Sequence, residues 1–139
     1  GPAMLEAAVR AVRDEARRRR HLPPRVLGVT VLTSVGGRTT SARRVVQLAG
    51  VALQAGCDGV VASAREASAL RRRFGKKPLI VCPGVRPGSA SRADQQRVAT
   101  PREALRAGAD ALVVGRPITE ARNPHRAAEH ILKEMEDGT

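Results

Sequence analysis

The chain has 139 residues, of which 42% are apolar and only one is aromatic, and its net charge is +12. Such a length allows one domain with a core built from Ala, Val, Leu and Ile, and the positive charge attracts polyanions. No apolar run approaches the roughly 20 residues that cross a bilayer, no signal peptide is visible, and two cysteines exclude a disulfide framework. We therefore expect a cytoplasmic protein without a membrane partner.

The first predicted element is a helix over residues 3–20, in which apolar residues recur at helical spacing and four arginines close the C-terminal end. Two prolines then stop it. An almost wholly apolar, valine-rich segment over residues 26–32 predicts a strand that is buried on both faces. The polar loop 33–41 leads from this strand into a predicted helix over residues 43–55.

The alternation of strand and helix then continues to the end of the chain. In chain order the predicted segments are a strand at 59–62, a helix at 64–74, a strand at 79–82, a helix at 101–107, a strand at 111–114 and a helix at 124–135. The phrase Ala-Gly-x-Asp precedes two of the strands, at residues 55–58 and 107–110. Alternating elements predict parallel strands with right-handed crossovers. We expect an α/β fold with four parallel strands and about five helices, half of a (β/α)8 TIM barrel, as one domain over residues 1–139.

Four segments stand at fixed spacing near the ends of predicted strands. They are residues 27–34, 58–63, 83–97 and 113–119. Their order and spacing closely resemble bacterial orotidine 5′-monophosphate decarboxylase, and residues 1–5 resemble that family's segment after its fourth strand. The resemblance implies that the chain corresponds to the C-terminal half of that family's barrel.

The resemblance also implies a site for the phosphate of a nucleotide similar to UMP. The residues that resemble the family's contacts to the nucleotide phosphate, called the phosphate grip below, are Arg86, Gln95, Gly115 and Arg116. Thr33 resembles the residue that recognises the pyrimidine. The two arginines follow the last two predicted strands, where β/α barrels often bind phosphate, and a guanidinium matches phosphate oxygens. The alternative is that both arginines belong to a solvated Arg-rich surface and that Thr33 satisfies a loop backbone group.

The decarboxylation machinery of that family is missing from this sequence. The family uses an Asp-x-Lys-x-x-Asp cluster and a second lysine, whereas the lysines here are Lys76, Lys77 and Lys133. The first two precede a predicted strand, at the wrong end of a barrel, and the third lies in the last helix. Arginine cannot replace a proton-donating lysine because its pKa is too high. We expect no catalytic residue and no decarboxylase activity from this chain alone.

No cofactor or metal ion is expected. His21, His125 and His130 are not at metal-ligand spacing, and surface or capping roles are the better interpretation. Cys57 and Cys82 lie in apolar surroundings, which favours free, buried thiols.

Half a barrel leaves two strand edges and an apolar lining uncovered. The first hypothesis is an inactive, self-assembling homo-oligomer or cage subunit, designed or evolved, with a vestigial phosphate site. The second is one part of a split orotidine 5′-phosphate decarboxylase, a lyase that forms UMP in pyrimidine biosynthesis.

The third hypothesis is an assembly that binds nucleic acid non-specifically, with Arg10, Arg13, Arg17 and Arg20 on one helical face. A solvated Arg-rich surface explains the charge equally well.

Overall fold

The computed structural model describes residues 1–31, 42–87 and 99–136. Its helices are α1 (Pro2–Arg18), α2 (Ala42–Gln54), α3 (Ala64–Phe74), α4 (Pro101–Arg106), α5 (Arg116–Thr119) and α6 (Pro124–Glu136). Its strands are β1 (Leu27–Val29), β2 (Gly59–Val61), β3 (Leu79–Pro83) and β4 (Ala111–Val113). Among these helices none is both long and apolar enough to span a bilayer.

The strands form one parallel sheet whose spatial order, β1-β2-β3-β4, follows the chain. Val29 pairs with Val61, Val61 with Val81, and Val81 with Ala111. The sequence prediction of four parallel strands joined through helices is therefore confirmed. The carboxyl ends of all four strands point to the same edge of the sheet, which is where sites of β/α folds form.

The helices cover one face of the sheet. Ile80 and Cys82 are fully buried on β3 and pack with Val60, Ala67 and Leu70 in one apolar cluster. Small side chains allow close approach, since a Cβ atom on Gly28 would lie 2.5 Å from the Cβ of Ala52. The alanine-rich composition therefore sets how closely α2 packs on β1.

The opposite face of the sheet is open. Alternate side chains on a strand point to opposite faces, and Val29 and Val113 are 58% and 52% exposed. Val61 and Val81, which pair with each other between them, are partly exposed. An apolar barrel lining is thus left without cover among the described residues.

Two predicted boundaries need correction, and one helix was missed. The first helix ends at Arg18 rather than residue 20, because Arg20 adopts a left-handed φ of 57°, so Arg20 does not share the face of Arg10 and Arg13. The first strand covers three residues, fewer than the apolar run suggested. The sequence analysis missed α5, because a four-residue helix is too short to show a period.

The two Ala-Gly-x-Asp phrases have the same structural role. Arg13 on α1 donates to the carbonyl oxygen of Gly56 at 2.8 Å. Arg71 on α3 donates to the carbonyl oxygen of Gly108, also at 2.8 Å. Both glycines have positive φ, 92° and 105°, as expected where a helix ends. The described chain therefore contains two similar units, one around β1 and β2 and one around β3 and β4.

Candidate phosphate-binding site

Arg86 is held just beyond the end of β3. Gly84 turns the chain with a φ of 72°, and Val85, which is 2% exposed, anchors the segment in the core. Val85 forms a parallel bridge with Ala99, and the Arg86 N–H donates to the Ala99 carbonyl at 3.1 Å. The main chain of Arg86 is therefore fixed, and its side chain is half-buried.

The return of the chain to α4 is fixed as well. Thr100 caps α4, where its hydroxyl accepts from the Glu103 N–H at 3.2 Å and the Glu103 carboxylate accepts from the Thr100 N–H at 2.8 Å. This capping box satisfies two main-chain donors. It follows Ala99 directly and so stabilises the partner of Arg86.

Arg116 begins α5, directly after β4. The carbonyl oxygen of Gly115 accepts from the N–H groups of Ile118 at 2.8 Å and Thr119 at 3.1 Å, which closes the short helix. A Cβ atom on Gly115 would meet no atom within 4 Å. The main chain before Arg116 is therefore accessible, and the side chain of Arg116 is exposed.

Arg86 and Arg116 occupy equivalent positions on neighbouring strands. Pro83 pairs with Val113 across β3 and β4, and each arginine lies three residues after its member of that pair. Neighbouring strands are about 4.8 Å apart. Arg86 and Arg116 therefore both follow the carboxyl ends of adjacent strands, at the same edge of the sheet.

The other two predicted contacts lie in segments that are not described. Thr33 and Gln95 are outside the described residues, so their predicted roles stay predictions. Of the five predicted site residues, Arg86, Gly115 and Arg116 lie at one edge of the sheet.

The lysines lie far from this edge, as their order in the sequence predicted. Lys76 and Lys77 separate the end of α3 from the start of β3, at the amino ends of the strands. Lys133 lies within α6. None of the three stands at the carboxyl edge beside Arg86 and Arg116.

Other polar groups at strand ends serve the fold. Ser63 follows β2 and forms the N-cap of α3, where its N–H donates to the Glu66 carboxylate at 2.9 Å. His125 and His130 each face a glutamate one turn along α6. Across residues 1–31, 42–87 and 99–136, no three His, Cys, Asp or Glu side chains are grouped as a metal site would require.

Both cysteines are free and buried, as predicted. Burial raises the pKa of the Cys82 thiol to about 11, and the nearby carboxylates of Glu66 and Asp110 act in the same direction. Burial also raises the pKa of Cys57. A raised pKa keeps a thiol protonated and unreactive near neutral pH.

The arginines of α1 are largely engaged within the fold. Arg17 pairs with Asp14 at 3.2 Å, Arg18 pairs with Glu15 at 2.6 Å, and Arg19 also contacts Glu15. The opposite charge lowers the pKa of the Glu15 carboxyl. Of the predicted nucleic-acid face, Arg17 has an acidic partner and Arg13 is held by Gly56, and nucleic-acid binding stays a prediction.

Comparison with protein families gives one match across most of the chain. Residues 1–131 match the model of the orotidine 5′-phosphate decarboxylase / HUMPS family. An orotidine 5′-phosphate decarboxylase of Moorella thermoacetica is 48% identical, with 98% of this chain and 58% of the relative covered. One of Syntrophotalea carbinolica is 47% identical, with 97% and 59% covered. The chain thus spans somewhat more than half the length of these relatives.

Solved structures share the fold. An uncharacterized conserved protein of Geobacillus kaustophilus superposes with a TM-score of 0.75 at 31% identity, covering 97% of this chain and 59% of that one. The orotidine 5′-phosphate decarboxylase of Lactobacillus acidophilus gives 0.68 at 39% identity, covering 83% and 50%. The resemblance inferred from four sequence segments is confirmed, and the chain belongs to the orotidine 5′-phosphate decarboxylase / HUMPS family, of whose barrel it spans about half.

Proposed function

We propose that this chain is the phosphate-binding half of an orotidine 5′-phosphate decarboxylase barrel, and that by itself it binds a nucleotide phosphate without decarboxylating orotidylate. The proposal rests on the positions of Arg86 and Arg116, each three residues after a member of the Pro83–Val113 pair on adjacent strands. Two guanidinium groups at one edge provide charge-assisted donors for one phosphate. The accessible main chain at Gly115 adds room for the ligand.

The absence of turnover follows from proton chemistry. Decarboxylation leaves carbanion-like charge on the pyrimidine ring, and a nearby acid must supply a proton. Arg86 and Arg116 cannot do so because a guanidinium does not release its proton in a protein. The lysines of the chain stand at the amino ends of the strands or on α6. Within residues 1–31, 42–87 and 99–136, no lysine is therefore placed to supply a proton at the proposed phosphate site.

Phosphate binding is tested by titrating the chain with UMP and following the 31P resonance. Hydrogen bonds to a charged group contribute about 1.5–3 kcal/mol each, so Arg116→Gln should weaken UMP binding by roughly 10-fold or more. Arg126→Gln on α6 removes the same charge from an exposed position elsewhere and should change the affinity less than about two-fold. Equal weakening by both substitutions, or no UMP binding by the parent chain, would contradict the proposal.

Turnover is tested separately with orotidylate. The chain alone should release no carbon dioxide, and release would overturn the proposed inactivity. The split-enzyme hypothesis predicts turnover once a chain supplying the missing half of the barrel is added. A folded complex of the two parts that still lacks turnover would dismiss that hypothesis.

A second candidate function, self-assembly, is favoured by the uncovered face. Val29 and Val113 on this face are 58% and 52% exposed. A stable interface buries roughly 800 Å² on each partner. A second copy of this chain, joined edge to edge, would cover Val29 and Val113 and supply four more parallel strands.

Self-assembly is tested by light scattering at several concentrations. The expected mass exceeds 14.8 kDa, and Val113→Asp should lower it, because a carboxylate on the lining is costly to bury. Glu129→Gln, an exposed change on α6, should leave the mass unaltered. A parent chain that stays monomeric and folded would rule out this function without bearing on phosphate binding.

A further inference from the structure

A concavity lined by cationic side chains lies at the opposite end of the strands from Arg86 and Arg116. It has a volume of about 790 Å³ and lies between the C-terminal ends of α3 and α4. That volume is within the range of small-molecule sites. Arg86, Gly115 and Arg116 follow the carboxyl ends of β3 and β4 and are therefore separate from this concavity.

The charges of this concavity are strongly unbalanced. Its ionisable lining groups are four cations and one carboxylate: Arg71, Arg72, Lys76, Arg106 and Asp110. Arg71 pairs with Asp110, so these two charges offset each other. Arg72, Lys76 and Arg106 remain as a net charge of about +3 facing the same space, and all three side chains are exposed.

Several carbonyl oxygens beside the concavity, just after the ends of α3 and α4, accept hydrogen bonds from its own side chains. The C-terminal end of a helix carries partial negative charge, which ordinarily disfavours anions. Arg71 donates to the carbonyl oxygens of Gly108 and Pro78 at 2.8 Å and of Gly75 at 3.1 Å. Ser68 donates to the carbonyl oxygen of Ala107 at 3.2 Å. These four carbonyl oxygens are therefore engaged, which lessens their repulsion of an anion bound beside Arg72, Lys76 and Arg106.

Charge balance distinguishes this concavity from the groove beside α1. That groove, of about 360 Å³, is lined by three arginines but also by Glu6 and Asp14. Its net charge is therefore about +1. The excess of positive charge in the chain as a whole thus does not by itself produce a site like the one between α3 and α4.

We propose that the concavity between α3 and α4 binds a compact oligophosphate group of charge −3 to −4, held by Arg72, Lys76 and Arg106. Two arginine forks and one ammonium match phosphate oxygens in charge and in donors. Such a group is offered by free polyphosphate or by the phosphates of a nucleotide. The absence of aromatic side chains from the lining favours recognition of the phosphates over stacking on a base.

Calorimetry with inorganic tripolyphosphate at 0.15 M salt tests this proposal. The parent chain should bind one equivalent at the concavity, and Arg106→Gln and Arg72→Gln should each weaken that binding by about five-fold or more. Arg10→Gln, which lines the groove beside α1, removes an equal charge and should change binding less than two-fold. Equal effects of all three substitutions would show a general charge effect and overturn the site, and so would the absence of saturable binding.

The two phosphate sites are separable in the same experiment. Arg116→Gln should weaken UMP binding and leave the tripolyphosphate affinity of the concavity unchanged, whereas Arg106→Gln should do the reverse. If Arg116→Gln alone abolishes tripolyphosphate binding, the ligand occupies the carboxyl edge and the proposal for the concavity fails. A nucleoside triphosphate in place of tripolyphosphate identifies the source, since tighter binding of the nucleotide shows that the nucleoside contributes.

Discussion

Asp110 and Ile80 are joined by two hydrogen bonds across neighbouring strands. The Asp110 N–H donates to the Ile80 carbonyl at 2.9 Å, and the Ile80 N–H donates to Asp110 Oδ2 at 2.7 Å. Asp58 and Val26 repeat the arrangement, with both distances at 2.8 Å. In each unit an aspartate just before a strand satisfies an N–H at the amino end of the preceding strand. These aspartates therefore stabilise the amino ends of the sheet and lie far from the proposed phosphate grip.

Loss of Arg71 should destabilise the chain strongly. Its side chain, 17% exposed, bonds the carbonyl oxygens of Gly75, Pro78 and Gly108 and pairs with Asp110. Arg71→Met leaves these acceptors without their partner, and we expect a loss of about 2–4 kcal/mol in the free energy of unfolding. Urea denaturation of the parent and the variant measures this loss in the free energy of unfolding.

Arg13 provides the matched control in the other unit. Within the described residues its side chain makes one hydrogen bond, to the Gly56 carbonyl, so Arg13→Met should cost only about 1 kcal/mol. Equal losses for the two substitutions would show that the additional contacts of Arg71 carry no stability.

Two glycine substitutions should have opposite effects. A Cβ atom on Gly59 would lie 2.6 Å from the Cβ of Leu79 and would also overlap its carbonyl oxygen. Gly59→Ala must therefore separate β2 from β3, and we expect a loss of about 3 kcal/mol or more. Gly50 lies inside α2 with only an ordinary contact to Phe74 at 3.7 Å, so Gly50→Ala should gain about 0.5–1 kcal/mol.

Thermal unfolding of the two variants decides this prediction. A melting temperature below that of the parent for Gly59→Ala and above it for Gly50→Ala is expected. If Gly59→Ala melted like the parent, the close pairing of β2 and β3 at Leu79 would be wrong.

Stability should fall in alkaline solution through Cys82. The folded state holds the pKa of this buried thiol at about 11, whereas an unfolded cysteine ionises near about 8.5. Because the folded pKa is the higher one, stability is fully present below pH 8.5 and falls as pH rises towards 11, by at most about 1.4 kcal/mol for each pH unit.

Urea unfolding at pH 8 and pH 10.5 measures that fall. Cys82→Ala should show a smaller decrease between the two pH values than the parent, whatever its stability at pH 8. An identical decrease would mean that other groups account for the alkaline loss.

Arg86 and Arg116 should be coupled in phosphate binding. If both bind one phosphate, the double variant Arg86→Gln, Arg116→Gln should lose less affinity for UMP than the sum of the single losses, with a coupling of about 0.5–3 kcal/mol. Isothermal titration of the four proteins completes the cycle. If the losses of binding free energy for UMP were strictly additive, the two guanidinium groups would not bind the same phosphate.

The sequence predicted most elements because their signals are local. The helix over residues 64–74 was predicted with its observed bounds, since a capping serine precedes it and a glycine follows it. The strand over residues 26–32 was predicted too long. An apolar run indicates which residues are buried, but not how many of them pair with a neighbouring strand. Arg71 is mostly buried, and no single segment of the sequence predicted this. The repeated Ala-Gly-x-Asp phrase was the available signal for its role.

The sequence by itself determined the alternation of strands and helices, the family, and the presence of arginines after the last two strands. These depend on residue types and spacing within short segments. Only the tertiary structure decided that Pro83 pairs with Val113, which brings Arg86 and Arg116 to adjacent positions, and that Arg72, Lys76 and Arg106 line one concavity. The first depends on the register between β3 and β4, and the second on the packing of α3 beside α4. Both bring together residues far apart in the chain, so no single segment of the sequence predicts them.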